Sequence, residues 1–195
     1  MSENAREAIL AAAKSAAQLH GYSGINFRSI GEEVGIRNAS IYYHFPSKAD
    51  LGAEVARRYW QDTQAALDAI RASNSDPARC LQLYSSIFRK SLEDGNRLCL
   101  SSFMAAEYED LPDQVSREVK AFADVNVTWL AHVLADAGWD NAQEIEHRAR
   151  AIHAAVAGAQ LIARTRGDIR HFDELVMTYQ QAGLISVQRT NTSAA

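Results

Sequence analysis

The chain has only three prolines, Pro46, Pro77 and Pro112, and each stands at the edge of a stretch in which apolar residues recur every three or four positions. Proline lacks an amide proton and its ring crowds the preceding turn, so it ends a helix or occupies its first turn. Between these marks the sequence is rich in Ala, Leu, Glu, Gln and Arg, which favour helix. The expected fold class is therefore all-α, with about nine helices and no sheet.

The periodicity places the elements. Ile9, Ala12, Ala13, Ala16 and Leu19 mark a first helix that stops near Gly21 and Gly24. Asn26 is placed to cap a second, short helix that turns Phe27, Ile30 and Val34 inward and ends at Gly35. Asn38 begins a third through Ile41, Tyr42 and His44, closed by Pro46, which disfavours helical geometry at Phe45. Ser47, with Asp50 three residues on, caps a long helix through Leu51, Val55 and Tyr59 to about Ile70. The polar run from Ser73 to Pro77 is the clearest break. Pro77 then starts a helix with Leu81, Tyr84, Ile87 and Phe88 that stops near Gly95, and a short helix from about Leu98 to Tyr108 follows. Pro112 starts another with Val115, Val119, Phe122, Val125 and Trp129 inward until Gly138, and Asp140 is expected to cap the next.

That next helix carries Ile145, Ala149, Ile152, Val156, Ala159 and Ala163 at a 4-3-4-3-4 spacing, which keeps one seam facing a partner helix. The last helix offers Phe172, Leu175, Tyr179 and Ala182 in the same rhythm. These ten residues are the expected homodimer interface, a four-helix arrangement of two copies, with burial inside their own chain as the alternative.

A net charge of −4 argues against an indiscriminate nucleic-acid binder. The stretch from Asn26 to Lys48 differs: Arg28, Arg37 and Lys48 outweigh Glu32 and Glu33, leaving the acid to the rest of the chain. The N-terminus runs into helical pattern without an apolar signal core, so a cytoplasmic location is expected. The longest charge-free run of the C-terminal part, Ala151 to Ala163, is too short to span a bilayer, and no membrane association is expected. Cys80 and Cys99 fit a reducing compartment and have no metal-type spacing; no metal and no cofactor are expected.

Function concentrates between residues 27 and 48. Phe27, Ile30, Val34, Ile36, Ile41 and Phe45 form an inward set that locks two short helices together and fixes how the second projects. Its outward residues, Asn38, Ala39, Ser40, Tyr42, Tyr43 and His44, are small or hydrogen-bonding. Such a face enters a major groove, where Asn, Ser and Arg read base edges and a methyl or aromatic ring touches thymine. Arg28, Tyr42, His44 and Lys48 stand where phosphates pass, and the start of the fourth helix adds its own partial positive charge.

The run Ile41-Tyr42-Tyr43-His44-Phe45-Pro46-Ser47-Lys48 resembles the DNA-binding unit of the TetR family of regulators. The resemblance implies a three-helix, homeodomain-like helix-turn-helix followed by a helical ligand-binding and dimerisation domain. It implies that Tyr42, His44 and Lys48 contact phosphates while Arg37, Asn38, Ala39, Ser40 and Tyr43 face bases. Asn26 stands where Thr often caps the second helix, and Arg37-Asn38-Ala39-Ser40 differ from the common Ser-Lys-Gly-Thr types, so no operator sequence carries over. The expected division is residues 1–47 for DNA, 48–188 for effector binding and dimerisation with 48–72 as linking helix, and 189–195 as a flexible tail.

The function expected is that of a repressor binding a palindromic double-stranded operator as a homodimer and released by a small-molecule effector or by thiol modification. Phe88, Phe103, Met104, Tyr108, Phe122, Trp129 and His153 are the candidate effector contacts. Cys99 joins them, because a helix N-terminus and nearby Arg97 would favour its thiolate, with a buried, inert thiol as the alternative; the stretch from Arg97 to Leu111 also resembles a TetR subgroup with a sensing cysteine. The alternatives are an activator of the same fold, or an all-helical enzyme or cofactor binder. For the last, Glu144 and His147 make a single Glu-x-x-His with no second copy.

Overall fold

Side-chain caps from Asn26, Asp76 and Asn141 mark helix starts. In the computed structural model, which describes residues 2–188, nine α-helices and no strand occur among the described residues. They are α1 (Ser2–His20), α2 (Phe27–Val34), α3 (Asn38–His44), α4 (Lys48–Ser73), α5 (Pro77–Glu93), α6 (Leu100–Ala105), α7 (Asp113–Asp136), α8 (Ala142–Arg166) and α9 (Arg170–Gln181). Before α5, Asp76 accepts the amide of Ala78 and Pro77 occupies the first turn, where no amide proton is needed. The tail expected at 189–195 lies outside the described residues.

Two boundaries and one burial differ from the sequence expectation. Asn141, not Asp140, caps α8, its side-chain oxygen accepting the amides of Gln143 and Glu144 at 3.0 and 3.1 Å. The sixth helix is shorter than Leu98–Tyr108: Cys99 is extended (φ −50°, ψ 128°), and Glu107 leaves helical geometry before a single 3₁₀ turn at Tyr108–Asp110. In α1, Leu19 stays exposed and Ala17 takes the buried place.

Contacts divide the chain into two packing units that cut across the expected boundary at 47/48. One comprises the chain up to Asp62 together with Cys99–Phe122, and the other Thr63–Leu98 together with the chain from Ala123 onward. In the first, Ile9, Ala13, Ile25, Ile30, Ile41, Phe45, Leu51, Leu100, Met104 and Val115 form one buried cluster. In the second, Leu81, Phe88, Leu130, Leu134, Ile152, Val156 and Phe172 are buried, with α8 packed on α5 and α9.

The expected dimer seam is core. Ala149, Ile152, Val156, Ala159 and Ala163 are completely covered by their own chain, as is Phe172 at 1% exposure. Ile145, Leu175 and Tyr179 are half-buried, and Ala182 is exposed just past the end of α9. The physical reason is that α8 has a second apolar stripe, offset from the first and built of smaller groups: Ala151, Ala154, Gly158 and Ile162. The bulkier stripe buries more surface per residue and takes the core. The smaller one stays outside, where Leu161 and Ile162 are each 50% exposed and Met177 of α9 is exposed as well. No helix among the described residues is long and apolar enough to cross a membrane.

Candidate nucleic-acid interface

The α2–turn–α3 unit is closed by backbone geometry. The Asn26 side chain accepts the amides of Arg28 and Ser29 at 2.9 and 3.1 Å, satisfying two donors that the first turn leaves open. Gly35 sits in the left-handed region (φ +73°, ψ +32°), and the reversal brings the Ile36 amide to the Gly31 carbonyl at 2.9 Å. Gly31 has to be bare at this point, because a Cβ would stand 2.9 Å from the Ile36 carbonyl oxygen. Ile41 and Phe45 then plug α3 into the core, with Phe27, Val34 and Ile36 at its margin.

Of the nine expected DNA contacts, Arg28, Arg37, Asn38, Ala39, Ser40, Tyr42 and Tyr43 are exposed, and His44 and Lys48 are half-buried. Tyr43 is 80% exposed, with its ring 5.1 Å from that of His44. The Tyr42 ring leans edge-on against Phe27 with centroids 4.8 Å apart, which steadies an otherwise solvated side chain. Arg28 pairs with Glu32 at 3.1 Å, an exposed contact of at most about 1 kcal/mol that a phosphate can replace. Helix α3 carries no carboxylate. At the start of α4, Asp50 accepts its cap from the Ser47 hydroxyl at 2.7 Å and a hydrogen bond from Gln114 at 3.1 Å. These bonds hold its carboxyl below the ordinary carboxylate range. Lys48 donates to the Ser23 carbonyl at 3.1 Å.

The expected effector residues separate. Phe88, Trp129 and His153 meet in the second unit around Tyr84, a residue the sequence reading placed only in the apolar pattern of its helix. The Tyr84 hydroxyl donates to Asn126 at 2.9 Å and lies 2.9 Å from Nδ1 of His153, so its oxygen is available to accept from a protonated Nδ1. Asn126 was missed, although a polar residue among Phe122, Trp129 and Leu130 on an inward face was a visible signal. His153 also lines a cleft of about 410 Å³ with Ala123, Asp124, Val127, Thr128, Glu146 and Arg150.

The other five candidates belong to the first unit. Met104 is fully buried in its core, the Phe122 ring packs 5.5 Å from that of Tyr59, and Phe103 is half-buried. Tyr108 is exposed beneath Lys120. Cys99 takes the buried alternative: it is 1% exposed, and burial pushes its thiol up, away from the reactive form.

Burial holds His153 down at about 4. The unfolded chain takes up a proton near pH 6.5 that the folded chain refuses. Stability is therefore fully present above pH 6.5 and declines as pH falls toward 4, by up to about 3 kcal/mol. Urea unfolding at pH 7 and pH 4.5 should show this loss, and His153→Gln should flatten it; an unchanged pH dependence in the variant would contradict the assignment.

Comparison with known proteins agrees with this geometry. Residues 9–55 match the family model for bacterial regulatory proteins of the tetR family. An 82-residue stretch is 33% identical to the HTH-type transcriptional regulator LmrA of Bacillus subtilis (strain 168), covering 42% of this chain and 44% of that protein. The fold is similar to a TetR-family regulator from Agrobacterium tumefaciens, with a TM-score of 0.86, 29% identity, and coverage of 93% of this chain and 98% of that one. It is also similar to a TetR transcriptional regulator from Legionella pneumophila, with a TM-score of 0.84, 31% identity, and coverage of 90% and 95%. With an exposed α3 on a capped, glycine-closed turn and a likeness that covers nearly the whole of the Agrobacterium and Legionella regulators, this chain belongs to the TetR family of transcriptional regulators.

Proposed function

We propose that the protein is a repressor that binds a palindromic operator as a homodimer and leaves it when a small organic effector binds. The observation that carries the reading is the face of α3: exposed Arg37, Asn38, Ala39, Ser40 and Tyr43, with no carboxylate, on a helix anchored by Ile41 and Phe45. Such a face reads base edges, while Arg28, Tyr42, His44 and Lys48 hold phosphates on either side. In this reading residues 1–47 are the reading head, and 48–188 sense and dimerise.

The second stripe of α8 supplies the dimer contact in place of the one expected from sequence. Its alanines and Gly158, where an added Cβ would meet nothing within 4 Å, let a partner helix come close, and Leu161, Ile162 and Met177 give it apolar area to cover. For the effector, the cleft ending at His153 fits a small molecule. A ligand touching that imidazole acts directly on Tyr84 and, through it, on Asn126. Release requires that the effector favour the DNA-free arrangement.

Selection of bound fragments from the source genome, followed by salt titration, tests operator binding. A palindrome with half-sites about one helical turn apart is expected. Lys48→Ala should weaken binding to every sequence and lower the salt slope by about one per protomer. Asn38→Ala should relax preference at one position, at a cost of roughly 1–3 kcal/mol. Absence of sequence preference at any salt, or identical effects of the two variants on all sites, would overturn the reading. Transcription from a reporter carrying the selected site should fall when the protein is present; a rise would make it an activator.

A further inference from the structure

Residues 21 to 24, between α1 and α2, form a single tight turn with a partner on each side. On one side is Glu107, just past α6. Its carboxylate accepts the backbone amide of Tyr22 at 2.5 Å and that of Ser23 at 3.3 Å. The approach needs a bare residue at 21: Gly21 is in the left-handed region (φ +69°), and a Cβ there would stand 2.0 Å from a carboxylate oxygen of Glu107. On the other side is Lys48. Its ammonium donates to the carbonyl of Ser23 and lies 4.6 Å from the centre of the Tyr22 ring. That ring rests on α4 at Gly52, where a Cβ would come within 2.7 Å of it. The same two residues are thus held through their amides by Glu107 and hold Lys48 through a carbonyl and a ring.

We propose that Glu107 is a positioning residue for operator binding: by fixing Tyr22 and Ser23 it sets the place of the Lys48 ammonium on the DNA backbone. The proposal rests on the reading of Lys48 as a phosphate contact. The two amides take different oxygens of the Glu107 carboxylate, Oε2 for Tyr22 and Oε1 for Ser23, and in this pose both positions must be acceptors. A carboxamide offers one oxygen and turns its NH₂ toward the other amide, so the turn must shift and carry Tyr22 and the Ser23 carbonyl with it.

The sign of the effect separates this role from simple electrostatics. Glu107 is an anion, and if it contributed only charge, its removal would tighten binding to DNA. The latch predicts the reverse. Glu107→Gln should weaken operator binding about tenfold at moderate salt and lower the salt slope by about 0.9 for each of the two heads, the value for one phosphate that is no longer neutralised. Combined with Lys48→Ala, it should cause no further loss, because the residue through which it acts is gone.

The experiment is a double-mutant cycle of Glu107→Gln and Lys48→Ala in the full chain, with affinity for the selected operator measured across salt. Circular dichroism is recorded on each variant. Binding by Glu107→Gln that is tighter or unchanged, a weakened affinity with the wild-type slope, or a full additional loss on top of Lys48→Ala each overturns the latch. Wild-type protein without operator binding removes the proposal together with the reading it rests on, whereas normal wild-type binding with one of those three outcomes removes the latch alone.

Discussion

Replacing Val156 by aspartate should leave no folded protein, whereas replacing Ile162 by aspartate should leave a folded monomer with little hold on a palindrome. The two residues lie six apart on α8 but on different stripes. Val156 is completely enclosed between α8 and the helices it packs on. An unpaired carboxylate there costs several kcal/mol, against a total stability of about 5–15 kcal/mol. Ile162 is 50% exposed, so aspartate at that position is solvated in the isolated chain and costs about 0.5 kcal/mol or less. Across a two-fold contact, by contrast, each new carboxylate is pressed against apolar surface and near its own copy. Loss of the dimer separates the two reading heads, and the affinity for a palindrome should drop by about 10² or more. Sedimentation, circular dichroism and operator titration on both variants decide the matter. An Ile162→Asp protein that remains dimeric with full affinity would refute the outer stripe as interface, and a folded, monomeric Val156→Asp protein would restore the inner one.

Ile41→Ala should be the most damaging single truncation in the reading head. Helix α3 has seven residues and cannot hold itself helical; its geometry comes from packing. Ile41 is fully enclosed and is the only residue of α3 that is buried. Removing its outer carbons should cost about 2–5 kcal/mol and lower the thermal midpoint by about 5–15 °C. Operator affinity should fall on all sequences alike, since the whole face is loosened and no single base loses its reader. Tyr43→Ala provides the contrast. That side chain is 80% exposed, so stability should stay within about 0.5 kcal/mol while binding weakens. Thermal unfolding and operator titration of both proteins separate the roles, and an Ile41→Ala protein with wild-type stability would show that α3 is held by something else.

The parts of this molecule that follow from near neighbours were legible in the sequence. The Asn26 cap, the reversal at Gly35, the closure at Pro46 and the Ser47–Asp50 pairing depend on residues within a few positions of each other, and the structure forms all four. The exposed face of α3 followed from them. What the sequence does not show is which of two apolar stripes meets the body of the same chain. In α8 both stripes satisfy helical spacing, and which of them faces α5 and α9 is settled only by packing against residues far away in sequence. For Cys99 the sequence left a reactive and a buried thiol both open for a similar reason: a position beside a helix start says nothing about the burial that pushes its thiol up. Glu107 offered no local signal, being 85 residues from the amide it accepts.

In the proposed operator complex Lys48 would meet the double helix with its ammonium already lodged between the Ser23 carbonyl and the Tyr22 ring. A lysine waving in solvent gives up to about 2 kcal/mol of rotamer entropy when it is immobilised. Here much of that ordering is complete before the encounter, so less disorder is lost at the moment of contact. The lysine then behaves as part of a rigid surface, and the geometry of the turn, more than the reach of a flexible chain, determines which phosphate it meets.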